Sequence, residues 1–130
     1  NDNLSDFIKN QTSINEEKDN LSSSFGNMVS FEFQTSAYIN ETVIEFYFKN
    51  PKTSNKNISI EIILEMDNDK ISIAQSEIIK PSEYIEYIYL NEGVFLPNGE
   101  YSANALLHFY NIDTQKEESI TSVIPITIYA

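Results

Sequence analysis

From residue 28 onward, apolar and polar side chains alternate along the chain, which is the pattern of strands that bury one face. The segments that alternate are bounded by turn residues such as Asn, Asp, Gly and Pro. We predict strands at 29–33, 44–48, 58–64, 70–74, 83–90, 101–110 and 120–128. No strand–helix–strand spacing interrupts them. The pattern therefore predicts one all-β domain over residues 28–130, with about seven antiparallel strands.

Two of the predicted strands depart from regular alternation. In 83–90 the aromatic residues fall on both faces, which predicts a bulge or a change of face. The last strand contains Pro125, which has no backbone N–H to donate. We therefore expect this strand to lie at a sheet edge or to bulge at Pro125.

Residues 1–27 have a different composition and are rich in Asn, Ser, Asp and Glu. Apolar residues at helical spacing, including Leu4, Phe7 and Ile8, favour a short amphipathic helix with Asn3 as its N-cap. A solvated spacer accounts for the same composition, and both interpretations stay open. In either case the segment is predicted to be a polar stalk that precedes the domain.

Residues 96–101, Leu-Pro-Asn-Gly-Glu-Tyr, form a turn signal that leads directly into the strand predicted at 101–110. Gly99 can adopt the positive φ that a tight turn needs. A leucine, a turn glycine and a tyrosine that opens a long strand resemble the tyrosine corner of immunoglobulin-like sandwiches.

Two further segments, Phe48-Lys-Asn-Pro-Lys52 and 79–90, resemble immunoglobulin-like (fibronectin III-like) modules of Gram-positive bacteria. Those modules belong to secreted or membrane-tethered proteins, mostly uncharacterised, and lie beyond an anchor and a polar spacer. The resemblance implies an immunoglobulin-like antiparallel β-sandwich, with a lipoprotein or other membrane anchor upstream of residues 1–27. Members usually carry Lys-Pro-Gly where this chain has Lys80-Pro81-Ser82. We therefore expect a turn without positive φ at Ser82, or a different turn type.

The chain is strongly acidic, with a net charge of −12. Such a surface repels nucleic acid and anionic lipid, so neither is an expected partner. The absence of cysteine excludes disulfides and thiolate chemistry. No run of about 18 apolar residues occurs, so we expect membrane contact only through an upstream anchor. The predicted location is extracytoplasmic, on the cell surface or secreted.

Catalytic motifs are not found in the sequence. There is no Gly-x-Ser-x-Gly elbow, His-Glu-x-x-His pair or glycine-rich phosphate loop. His108 is the single histidine, and its parity predicts a position on the outer face of its strand. We interpret it as an exposed strand histidine and predict that the protein is not an enzyme and has no catalytic residues.

Calcium is the one metal that the sequence raises. Asp67, Asn68 and Asp69 cluster oxygen ligands in one turn, and Asn111 with Asp113 cluster in another. The same Asp-Asn-Asp stretch is ordinary hairpin chemistry, and both interpretations stay open. No other cofactor is expected.

Tyrosines form the remaining candidate site. Tyr47, Tyr87 and Tyr89 are candidates for an interaction surface, and Phe95 is the candidate apolar tip of a nearby loop. Cross-strand pairing of tyrosines explains the same pattern without a ligand. The predicted function is a non-enzymatic spacer or protein-interaction module with an unknown protein or cell-wall partner, recruited by a sheet face or by strand addition to the last strand. The alternative is a carbohydrate- or calcium-binding adhesion-type module.

Overall fold

The computed structural model describes residues 30–130, which form eight β-strands and one short 3-10 turn. The predicted stalk at residues 1–27, with its helix or spacer, and the predicted domain start at Met28 lie outside the described residues. The elements are β1 (Glu32–Phe33), β2 (Ser36–Asn40), β3 (Val43–Lys49), the 3-10 turn (Lys52–Ser54), β4 (Lys56–Met66), β5 (Asp69–Gln75), β6 (Tyr84–Tyr89), β7 (Glu100–Asn111) and β8 (Glu117–Tyr129).

The strands follow one hydrogen-bonded path, β1-β3-β2-β8-β7-β4-β5, and β6 pairs with β3 beside it. The path has two halves, β6-β3-β1/β2 and β5-β4-β7-β8, joined where β2 contacts both β3 and β8. Phe31 packs against Phe48 of β3, with ring centroids 5.7 Å apart, and against Phe109 of β7 at 6.2 Å. The two halves therefore face each other across one core. This arrangement is the predicted all-β immunoglobulin-like sandwich.

The core consists of the side chains that the alternation assigned to the inner faces. β7 and β8 illustrate this, because every second residue is buried from Ala103 to Phe109 and from Ser122 to Ile128, while those between are more exposed. The buried residues of these strands are Ala103, Ala105, Leu107, Phe109, Ile124, Ile126 and Ile128, together with Ser122. The inner faces predicted for β3 and β4 are confirmed in the same way.

The tyrosine corner is also confirmed. The Tyr101 hydroxyl donates a hydrogen bond to the Pro97 carbonyl oxygen at 2.6 Å. Gly99 takes a φ of +156°, a conformation open to glycine, and exchanges two backbone hydrogen bonds with Ala130. The turn before β7 is thereby tied to the end of β8.

Strand β2 was not predicted from the sequence, and its pairing with β8 is parallel. The expectation of a purely antiparallel sandwich was therefore wrong at this pair. Its inner face consists of only two residues, the buried Ala37 and the partly buried Ile39. β2 pairs with the neighbouring β3 and also with β8, which lies far away in the sequence.

The expectation that the last strand lies at a sheet edge was wrong, because β8 runs between β2 and β7, but among the described residues β8 is unpaired on one side at Pro125. The Thr127 amide donates to the Thr35 carbonyl at 2.9 Å, away from β7. Backbone groups two residues apart point to the same side of a strand, so the nitrogen of Pro125 also points away from β7. The β2–β8 register ends at Thr127, and no other strand among residues 30–130 pairs with this side of β8. Pro125 thus removes no hydrogen bond from the described sheet. The pairing of β8 with β7 continues past Pro125 without a bulge.

The turn before β6 differs from the expectation for Ser82. Ser82 has a φ of +78° and follows Pro81, and the Glu83 amide donates to the Lys80 carbonyl at 2.9 Å. These features define a type II turn, so the expected avoidance of positive φ was wrong. The Lys80 amide also donates to the Glu83 carboxylate at 2.9 Å, and this second bond holds the turn in place.

Replacing Ser82 by glycine is expected to stabilise the domain. Glycine adopts positive φ without steric strain, so Ser82→Gly should raise the free energy of unfolding by about 0.5–1 kcal/mol. Urea denaturation measures the change. Ser119→Gly, in the extended backbone of β8, is the control and should lower stability instead. Equal effects at the two positions would contradict strain at Ser82.

Candidate functional site

A cluster of aromatic side chains covers the outward face of β3 and β6, and we call it the tyrosine surface. It consists of Tyr47 on β3 with Tyr84, Tyr87 and Tyr89 on β6. Tyr84, Tyr87 and Tyr89 are 56%, 50% and 64% exposed, and Tyr47 is half-buried. The structure therefore places the predicted residues Tyr47, Tyr87 and Tyr89 together and adds Tyr84, which the sequence analysis did not select.

A shift in the β3–β6 register explains how aromatics of both parities reach one face. Glu45 lies opposite Tyr87 and Phe48 opposite Ile85, so β3 contains one more residue than β6 between these pairs. Ile88 is buried and Ile85 packs partly against the core, while the tyrosines beside them point outward. The change of face predicted in 83–90 is confirmed, whereas the extra residue lies in β3.

The rings of the tyrosine surface contact each other in two pairs. Tyr47 and Tyr84 pack across β3 and β6 with centroids 5.9 Å apart, and Tyr87 and Tyr89 meet edge to face at 5.5 Å. Burial, followed by the nearby Glu32 carboxylate, raises the pKa of Tyr47. The pKa of Tyr87 is raised by its hydrogen bond with Tyr89 and, to a smaller extent, by Glu77 and Glu86. The surface is therefore aromatic, and carboxylates lie near Tyr47 and Tyr87.

A groove lies along β6 where the two halves of the sandwich separate, and we call it the β6 groove. β5 and β6 meet at one bridge, Ala74 with Leu90. After that bridge the chain continues along β4, with the Ser76 amide donating to the Ile60 carbonyl at 2.8 Å. The resulting groove has a volume of about 510 Å³ and is lined by β6 on one side and by Gln75, Ser76 and Glu77 on the other.

Phe95 is 81% exposed in the loop between β6 and β7. It is therefore an exposed apolar side chain at a loop. It does not line the β6 groove, so the structure does not unite it with the tyrosine surface in one cavity. A functional role for Phe95 stays a prediction.

The calcium candidates occupy the β4–β5 hairpin. Asp67 and Asn68 form its two-residue turn, with φ values of +46° and +73°, and Met66 pairs with Asp69. Both positive values are those of a type I′ turn, which favours Asp and Asn for backbone reasons alone. Within residues 30–130 no three His, Asp or Glu side chains form a group that could hold a metal ion. Calcium at this turn stays a prediction, which thermal unfolding of chelated protein with and without millimolar calcium tests.

The second acidic turn lies at the opposite end of the sandwich. Asn111 ends β7, opposite Lys56 at the start of β4, whereas the Asp67 turn follows the end of β4. The Asn111 side-chain oxygen accepts hydrogen bonds from the Asp113 and Thr114 amides, at 2.8 and 2.9 Å. The structure therefore does not bring the two acidic turns together.

His108 lies on the outer face of β7, as predicted, but its side chain is only 17% exposed, so the interpretation as an exposed histidine was wrong. Its Nδ1 lies 2.9 Å from Glu117 Oε2, and its Nε2 lies 3.1 Å from Glu61 Oε1. Both ring nitrogens therefore have carboxylate partners, and the three side chains link β4, β7 and β8. The arrangement holds the sheet together, and the absence of enzymatic activity stays a prediction.

Glu61 is expected to make stability pH-dependent. The Ser72 hydroxyl, and then His108, lower the pKa of this carboxyl, while burial opposes them. Because the folded pKa lies below the unfolded one, Glu61 stabilises the fold above its ordinary pKa, and that stabilisation is lost as pH falls through the folded value. The free energy of unfolding of the wild type should exceed that of Glu61→Gln by about 0.5–1 kcal/mol near neutral pH. This difference should shrink between about pH 5 and pH 3. Urea denaturation across this pH range measures the difference, and Glu65→Gln, at an exposed position, is the control. A stability difference between wild type and Glu61→Gln that does not change with pH would contradict a lowered pKa of Glu61.

The comparisons with known proteins find similarity among solved structures. No family model and no curated protein matches the chain. A similar solved structure is the CsuC–CsuE chaperone–tip adhesion subunit pre-assembly complex from archaic chaperone-usher Csu pili of Acinetobacter baumannii, with 16% identity and a TM-score of 0.41. The match covers 78% of this chain and 52% of that chain, so this chain spans about half of that neighbour. The immunoglobulin-like class rests on the strand order and tyrosine corner of this chain itself. Among residues 30–130, no helix has the length and apolar character to cross a membrane.

Proposed function

We propose that this protein is a non-enzymatic protein-interaction module that acts outside the cytoplasm of a bacterial cell, on its surface or in secreted form. The observation that carries the proposal is the tyrosine surface. Three of its rings are half exposed or more, although each has a large apolar area. Tyrosine provides contact area at low entropic loss and is enriched at protein interfaces.

Cross-strand pairing accounts for only part of this surface. Within the surface, Tyr47 packs on Tyr84 across β3 and β6. Elsewhere on the sheet, Tyr38 stacks on Tyr129 across β2 and β8 at 5.3 Å in the same way. These pairs stabilise the sheet without a ligand. Tyr87 and Tyr89 are different, because their partners across β3 are Glu45 and Val43. Their exposure supports contact with a partner over a role as a passive spacer.

The finer parts of the proposal come from the sequence. A Gram-positive origin and a membrane anchor upstream of residues 1–27 rest on the resemblance to modules of that kind. The carbohydrate- or calcium-binding alternative has no specific support in the geometry. Strand addition to the open edge of β8, ending near Pro125, is a further means of recruiting a partner.

Photo-crosslinking in the cells that make the protein tests the proposal. A photoreactive phenylalanine analogue replaces Tyr89, and in a matched control it replaces Tyr38, which is 49% exposed on another part of the sheet. We expect a discrete protein adduct from position 89 that is absent at position 38. No adduct, or the same adducts at both positions, would favour a spacer.

A further inference from the structure

We propose that the β6 groove binds an extended, positively charged peptide segment of a partner protein, which adds as a strand to the free edge of β6. This inference rests on the proposed function as a protein-interaction module and specifies the chemistry of its partner. Three features of the groove support it: an open backbone edge, a negative lining and aromatic walls.

The backbone of β6 has hydrogen-bonding groups that point into the groove. The Leu90 amide, just after β6, donates to the Thr42 carbonyl on the β3 side at 2.8 Å. The next amide, that of Asn91, donates to the Ile73 carbonyl of β5 on the opposite side, also at 2.8 Å. Because these directions alternate along a strand, the amide and carbonyl of Tyr87 point away from β3. Among residues 30–130 the only pairing on this side is the bridge of Ala74 with Leu90. Beyond the register shift, the Glu83 carbonyl accepts from the Asn50 amide on the β3 side, so the backbone groups of Tyr84 point away from β3 as well. The edge is thus available for an added strand at Tyr87 and at Tyr84.

The charge of the groove favours a basic occupant. Glu77 lies on one wall and Glu86 on the other, and no lysine lines the groove. Both carboxylates are close enough to Tyr87 to raise its pKa. The rings of Tyr84, Tyr87 and Tyr89 offer faces on which Lys or Arg side chains can pack by cation–π contact. An acidic segment would meet repulsion from the same two carboxylates.

The dimensions of the groove fit a short extended segment. The six residues of β6 span roughly 20 Å at the rise of a strand. All six residues of β6 line the groove, and such an elongated lining suits an extended chain. A peptide of about six residues with alternating basic side chains matches the length of the edge.

Two occupants from the protein itself fit less well. Residues 1–29 contain two lysines against five acids, and a second copy of the chain carries a net charge of −12. Either would bring more negative charge to the carboxylates of the groove. Charge complementarity therefore favours a segment from another protein, and both alternatives are outcomes of the test.

The first experiment measures binding of a labelled Lys-Thr-Lys-Thr-Lys-Thr peptide to the full chain by fluorescence anisotropy near physiological ionic strength. We expect saturable binding that Glu77→Gln with Glu86→Gln weakens about tenfold. The control, Glu65→Gln with Glu100→Gln, removes the same charge from exposed positions outside the groove and should change affinity less than about twofold. Tyr87→Ser should weaken binding, whereas Tyr38→Ser should not.

A peptide of the same charge with methylated alternate amides separates strand addition from general attraction. We expect it to bind at least about tenfold more weakly, because it cannot complete the ladder. Equal affinity for both peptides would overturn the proposal. An equal loss of affinity in the groove variants and in their controls would also overturn it.

Hydrogen exchange at the Tyr87 amide identifies the occupant. We expect fast exchange in the free protein and protection when the basic peptide is bound. Protection of the Tyr87 amide in the absence of peptide would overturn the proposal. Protection that rises with protein concentration would identify a second copy of the chain as the occupant, and protection independent of concentration would identify the chain's own segment. If position 89 crosslinks to a partner but the basic peptide does not bind, this inference fails and the proposed function stands; if neither occurs, both fail.

Discussion

Replacing Asn50 by alanine is expected to lower the free energy of unfolding by about 3 kcal/mol. Asn50 is fully buried at the end of β3, where the chain turns toward β4. Its Nδ2 donates to the carbonyl oxygens of Lys56, at 2.7 Å, and Ile79, at 2.9 Å. Its Oδ1 accepts a hydrogen bond from the Ser54 hydroxyl. One side chain therefore fixes the loop between β3 and β4 and joins it to the distant segment at Ile79.

The loss is large because alanine removes all three hydrogen bonds in a place that the folded protein shields from water. Buried polar groups that lose a partner retain their desolvation cost. The backbone bonds of Asn50 with Ser82 and Glu83 remain, so the variant should still fold. Urea denaturation followed by circular dichroism measures the change.

Two further variants make the Asn50 prediction specific. Asn50→Asp keeps the size and the acceptor but loses both donors, and it should be at least as unstable near neutral pH because a carboxylate would face two carbonyl oxygens. Asn40→Ala removes an exposed amide that donates to Glu45 at 3.3 Å, and it should change stability by less than about 0.5 kcal/mol. Similar stability of the Asn50 and Asn40 variants would contradict the connecting role.

Replacing Tyr101 by phenylalanine is expected to lower the free energy of unfolding by about 1.5 kcal/mol. The hydroxyl donates to the Pro97 carbonyl at 2.6 Å, so it fixes the turn at the start of β7. That turn is joined to the end of β8 through the paired backbones of Gly99 and Ala130. Removing the hydroxyl should therefore loosen the connection of β7 and β8 at this end of the sandwich.

Thermal unfolding checks this prediction as a fall in the melting temperature of several degrees, since 1 kcal/mol corresponds to about 4–8 °C in a domain of this size. Tyr129→Phe is the control, because its exposed ring stacks on Tyr38 and keeps that contact without the hydroxyl. If Tyr101→Phe and Tyr129→Phe have the same melting temperature, the hydroxyl of the tyrosine corner contributes no stability.

Much of the fold could be predicted because its determinants are local. Alternation along β7 identified Leu107 and Phe109 as inward and His108 as outward, and the structure agrees. The tyrosine corner depends on six consecutive residues, so it too was visible in the sequence. The exposure of Tyr87 and Tyr89 followed from the same kind of pattern once a change of face was allowed.

The remaining features depend on contacts between distant segments. β2 has a weak pattern because only Ala37 and Ile39 face the core, and its parallel pairing with β8 joins opposite ends of the domain. The conformation of Ser82 is set by its bond to the Asn50 backbone and by the Glu83 carboxylate, which local sequence does not reveal. Glu77 was not selected because its place in the β6 groove depends on the separation of β5 and β6 after Ala74.

The parallel pairing of β2 with β8 has a mechanical consequence. A stretching force between Ser30 and Ala130 pulls these neighbouring strands in opposite directions along their length. Hydrogen bonds such as the one from Thr127 to Thr35 then share the tension in shear and do not open one after another. The same contact that joins the two halves of the sandwich thus gives the domain its resistance to extension.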